Sequence, residues 1–137
     1  MANFFDTVFK QASARAVLLG TDSPTLPLSF ISNAFEQLEN VDLVLGPAMD
    51  GGYYLIGLSG RVPPIFQDMN WSRPDVLATT VERLRGSSYR LGLLPPWYDI
   101  DTLDDWQMLC GHLSALRRAG VDPKVPHTEK LALKSVW

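Results

Sequence analysis

Apolar residues recur along this chain in two alternating rhythms. Phe4, Phe5, Val8, Phe9 and Ala12 fall at helical spacing and predict an amphipathic helix over about residues 2–14. AVLLG, residues 16–20, is instead a continuous apolar run ending in glycine, the pattern of a strand buried on both faces. The polar TDSPTLP that follows is a loop given a defined shape by its two prolines. Ser29 stands where it can cap a helix reaching about Leu38, with Ile31, Ala34, Phe35 and Leu38 along one face. VDLVLGP and YYLIGL read as the second and third strands. The DGG between them favours a hairpin, a wider bend being equally compatible.

Past Pro63 and Pro64, the stretch IFQDMNWSRPDV reads as a loop. A helix from about Pro74 to Leu84 follows, its stripe made by Val76, Leu77, Thr80, Val81 and Leu84. YRLGLLPPWYDI holds a strand, then a rigid double proline. DTLDDWQMLCGHLSALRRAG is the last predicted helix. Thr102 is its N-cap, Asp104 and Asp105 suit its first turn, Arg117 and Arg118 its last, and Gly120 stops it. From Val121 onward the two prolines predict a partly ordered tail. Strands alternate with helices without a repeat or linker, so residues 1–137 are expected to form one α/β domain.

Composition narrows the function. The 137 residues suffice for a domain burying roughly two-thirds of its unfolded surface. With a net charge of -3 and a pI of about 5.2, no basic surface argues for nucleic acid or an anionic membrane. An anionic ligand would need local help from a metal ion or a helix N-terminus. The single cysteine, Cys110, excludes an internal disulfide and fits a reducing, cytoplasmic setting, where it reads as a small buried hydrophobe. No apolar run approaches the roughly 18 residues of a membrane span, and the N-terminus lacks the basic start and apolar block of a secretory signal. His112 and His127 have no second His or Cys at ligand spacing, which argues against zinc.

The candidate chemistry lies in acids that follow strands. Asp22 comes just past AVLLG, Asp50 past DLVLGP, and Asp99 and Asp101 past GLLPPWY. Ligands of open α/β sheets bind outside the carboxyl ends of the strands. Acids converging there serve to hold Mg²⁺ or Mn²⁺, hard cations that prefer carboxylate oxygens. Each acid also has a plainer use. Asp22 could cap its own loop, Asp50 could be a turn residue, and the acids before Trp106 partly serve the helix start. Trp71, Trp97 and Trp106 suit packing more readily than sugar stacking.

LLGTDSPTLP, LVLGPAMDGGYYLIGL, FQDMNWS and LPPWYDIDTLDD, in this order and spacing, resemble the DUF2064 family of GT-A-like glycosyltransferases, within the nucleotide-diphospho-sugar transferase superfamily. The resemblance implies a three-layer α/β fold, a mixed sheet flanked by helices, acting on a nucleotide-sugar with Mg²⁺ or Mn²⁺. It implies Asp22, Asp99 and Asp101 as metal ligands and Asp50 as the catalytic carboxylate. Thr21, Ser23, Gly51, Gly52, Tyr53, Trp71 and Ser72 become the substrate contacts, the two glycines letting backbone amides approach a ligand. Leu103 stands where a proline is usual. Related nucleotidyltransferases use the same parts, which keeps nucleotidyl transfer as an alternative.

The family's opening strand and its Gly-, Arg- and Lys-containing nucleotide loop have no counterpart before Met1. The expected fold is therefore N-terminally truncated, with weak or absent nucleotide-sugar binding. A non-catalytic, oligomeric role is the other alternative. AVLLG would then be a sheet edge, and residues 1–20 the interface of a homo-oligomer.

Overall fold

In the computed structural model, residues 1–11, 14–71 and 73–134 are described. Their order is α1 (Ala2–Lys10), β1 (Arg15–Leu19), α2 (Leu28–Gln37), β2 (Leu43–Pro47), β3 (Tyr53–Ser59), α3 (Val76–Leu84), β4 (Leu91–Leu93), α4 (Leu103–Arg118) and α5 (Pro126–Lys134). The strands form one mixed sheet in the order β1-β3-β2-β4. β3 runs antiparallel to both β1 and β2, while β2 and β4 are parallel. β1, β2 and β4 therefore all point the same way, and their carboxyl ends share one edge of the sheet.

The sheet is covered on both faces, as its apolar strands require. On one side Phe5 of α1 and Leu84 of α3 pack with Ala16, Leu43, Leu45, Ile56 and Leu58. On the other, Ala34 and Leu38 of α2 pack with Val44, Tyr54, Leu55 and Leu94. Period-two alternation sorts Leu43 and Leu45 of β2 to one face and Val44 to the other. The result is the three-layer α/β arrangement that the family resemblance implies. A satellite cluster, Leu109 and Leu113 of α4 with Ala132 of α5, also gathers Tyr98, Ile100, Trp106 and the half-buried Cys110.

Polar contacts set the register. Asp42, just before β2, accepts from the Arg90 backbone N–H at 2.9 Å and from Arg90 Nε at 3.1 Å, fixing the chain that enters β4. Arg90 holds the Asp42 carboxyl below its ordinary pKa, first through that backbone bond and then through the guanidinium.

Several elements differ from the sequence pattern. α1 stops at Lys10, and Ala12 lies outside the described residues. Pro27, not Ser29, occupies the N-cap of α2, with no side-chain cap. Val81 turns outward on α3, leaving Val76, Thr80 and Leu84 as the buried stripe. The expected tail contains a ninth element, α5, held by Ala132 and by the Arg117–Glu129 ion pair at 2.7 Å. Among the described residues, no helix is long and apolar enough to cross a membrane.

Candidate functional site

The shared carboxyl edge is where the acids meet. β2 and β3 form a hairpin whose connection, residues 48–52, closes through Ala48 N–H to Gly52 O at 3.1 Å. Asp50 Oδ1 accepts the Gly52 N–H at 2.8 Å, an Asx-type turn that fixes one carboxylate oxygen and leaves Oδ2 open. Gly51 has a φ of +92°, and a Cβ there would stand 1.9 Å from the Pro74 carbonyl oxygen. Its own carbonyl accepts from Leu77 N–H at 2.9 Å, at the start of α3. The glycine is thus required by close approach to the chain before α3.

Asp99 reaches the same place from the other side. Beyond β4 the chain keeps following β2, with Leu94 N–H on Leu45 O at 2.9 Å and Trp97 N–H on Pro47 O at 3.0 Å. Met49 N–H then bonds Trp97 O at 3.1 Å, which carries the two strand ends side by side into Asp50 and Asp99. Tyr54 OH donates to Pro95 O at 2.9 Å and adds a tie from β3; burial pushes this phenol up to about 12. A Cβ on Gly46 would meet the Tyr54 ring at 2.4 Å, so that tie depends on the glycine.

Carboxylate oxygens of Asp50, Asp99 and Asp101 lie within 4.8 Å of one another, a spacing that fits a shared hard cation. Asp105 is committed elsewhere: its Oδ2 accepts from Thr102 N–H at 2.8 Å and from Thr102 Oγ1 at 2.7 Å, completing the capping box of α4. Asp99, half-buried, has its pKa raised by burial, then by the charges of Asp50, Asp101 and Asp105.

A cleft of about 250 Å³ opens over this trio. Asp22, Ser23, Gly52, Tyr53 and Trp71 line it together with the three acids. Asp22 is in the cleft but outside the close trio, its Oδ1 accepting from Thr21 Oγ1 at 3.3 Å and its carbonyl from Ile100 N–H at 2.9 Å. Thr21 and Gly51 are not among the lining residues, and Ser72 lies outside the described ones. Tyr54, Ala48 and Val76 also line the cleft, which the sequence pattern did not single out.

A hydrogen-bonded chain behind the cleft also escaped the sequence. Tyr98 OH lies 2.6 Å from Thr25 Oγ1 and 2.7 Å from His112 Nδ1, joining the Asp22 loop, the Asp99 segment and α4. Its members are far apart along the chain, so no spacing announces them.

Residues 1–73 match the family described as uncharacterized protein conserved in bacteria, DUF2064. No curated protein matches the chain. Among solved structures, one assigned as a nucleotide-diphospho-sugar transferase from Desulfovibrio desulfuricans G20 is similar at 32% identity and a TM-score of 0.84. The similarity covers 96% of this chain and 56% of that one, so residues 1–137 span little more than half its length.

Proposed function

The chain belongs to the DUF2064 family, and from that premise we propose that it forms the carboxylate-lined wall of a metal-dependent, nucleotide-sugar-using glycosyltransferase. Supporting the reading are the similarity to a nucleotide-diphospho-sugar transferase and one observation above all: three acids from two separate strand ends brought within 4.8 Å. Because the chain spans 56% of that relative, the proposal assigns it this wall of the site and leaves donor recognition to the whole protein.

Asp50, Asp99 and Asp101 would hold Mg²⁺ or Mn²⁺. Such an ion, when bound, would neutralise charge on a departing nucleoside diphosphate. The spacing supports exchanging two roles inferred from the resemblance. Asp50, one oxygen fixed by Gly52 N–H, joins the ligand set. Asp22, which lines the same cleft but lies outside the trio, becomes the carboxylate that orients or deprotonates an acceptor hydroxyl. Homo-oligomerisation at the β1 edge belongs to the same proposal, supported by the edge position of that strand and the exposure of Met1, Phe4 and Leu19.

Calorimetric titration with MnCl₂ tests the ligand set. The wild-type chain should bind the ion, with affinity reduced by roughly tenfold or more in Asp50→Asn, Asp99→Asn and Asp101→Asn, and little changed in Asp22→Asn. Equal losses in all four variants would undo the exchange of roles. No Mn²⁺ binding by the wild type would remove the metal site.

A further inference from the structure

We infer that the cleft seats the ring of a neutral, hydroxyl-rich acceptor against Trp71, in preference to a phosphorylated one; the inference rests on the transferase reading above. Trp71 lines the same cleft as Asp22, Asp50, Asp99 and Asp101 yet remains 43% exposed. Its indole is braced. It stands edge-on to Tyr53, with centroids 6.3 Å apart and planes at 89°, and lies against Phe66 at 6.2 Å and 31°. Phe66 in turn stacks on the fully buried Phe5 at 6.0 Å.

The loop beneath is pinned as well. Arg83 of α3 donates to the carbonyls of Ile65 at 2.8 Å, Gln67, and Asp68 at 3.4 Å, gripping the residues that flank Phe66. A Trp meant only to shield Phe66 and Tyr53 would be satisfied by this packing. Its position on the rim of an acidic cleft is what gives the exposed remainder a ligand to meet.

The two walls offer complementary chemistry. An aromatic surface gains by covering the apolar C–H face of a pyranose, since apolar area leaves water. Carboxylates only accept hydrogen bonds, so they suit a ring whose edge presents O–H donors. The cation would already serve the departing diphosphate, and the described lining of the cleft includes no Lys or Arg, so a phosphorylated acceptor would find no cationic partner of its own beside the four carboxylates, whereas a neutral polyol needs none.

Saturation-transfer NMR decides the point, using methyl glycosides of glucose, galactose, mannose and N-acetylglucosamine against glucose 1-phosphate, with Mg²⁺ present. At least one methyl glycoside should receive saturation, and the phosphate ester should bind about tenfold more weakly or not at all. Trp71→Ala should weaken the glycoside by about tenfold, Trp71→Phe by less, as an aromatic face is lost or only reduced. Thermal unfolding of both variants verifies the fold, and their Mn²⁺ affinity should match the wild type. Glucose 1-phosphate binding as tightly as the glycosides, Trp71→Ala binding like the wild type, or no sugar binding at all would each overturn the inference. Glycoside binding without Mn²⁺ binding would instead sink the metal-dependent transferase reading and the acceptor role with it, leaving only the contact of a sugar ring with Trp71.

Discussion

Among the four cleft carboxylates, Asp99 alone is half-buried while Asp22, Asp50 and Asp101 are exposed. Its raised pKa has a defined consequence for stability. The folded state prefers the neutral carboxyl. That preference is fully present below the unfolded value, about 4, and is lost as pH rises through the raised folded value. Without a cation, ionised Asp99 therefore weighs against the fold at neutral pH. Asp99→Asn should raise the thermal midpoint at pH 7 in chelator-treated buffer, with the gain vanishing below about pH 4. Parallel curves for variant and wild type across that range would show that Asp99 carries no such burden. At this scale the sequence was partly legible: acids after strands gather at one place because strands sharing a direction share a carboxyl end. Which acids converge was not legible. The choice of Asp50 over Asp22 depends on the Gly52 N–H and on the Ala48–Trp97 bridge between residues far apart in sequence.

Local chemistry decides how well each element could be read. α4 was legible at both ends because Thr102, Asp105 and Gly120 act on their immediate neighbours. Thr102→Ala should cost about 1 kcal/mol in urea denaturation by removing one half of the capping box; an unchanged midpoint would mean that Asp105 holds the helix start unaided. α5 was not legible for the opposite reason. Leu131 and Leu133 stay exposed, and its buried contact, Ala132, has meaning only once α4 offers Leu109 and Leu113. α2 buries Ala34 and Leu38 as its pattern predicts, but Phe35 of the same predicted face is 39% exposed, and the cap differs: Leu28 already begins the helix, and Ser29 lies inside it.

At the scale of the whole sheet, β1 has a strand on one side alone among the described residues, the feature on which the proposed homo-oligomer rests. β1 ends the strand order, its Leu19 is 40% exposed, and α1 beside it leaves Phe4 41% exposed. Such an edge is a template for pairing with another strand. Light scattering at micromolar concentration is expected to give twice the 15.3 kDa chain mass, and Leu19→Lys to shift the population toward monomer. A monomeric wild type would refute the pairing. The order of strands also dictates an order of assembly. β2 and β3 are neighbours in sequence and sit at the centre, so their hairpin closes at small entropic cost. β4 must return across the whole span that holds α3 before it can lie beside β2. Contacts of such long range form late. The chain leaving β4 carries Asp99 and Asp101, whereas the hairpin carries Asp50. Like charges are therefore brought together only once β4 docks on β2. A cation placed among them is expected to slow the reopening of β4 and leave the central hairpin's amide exchange untouched.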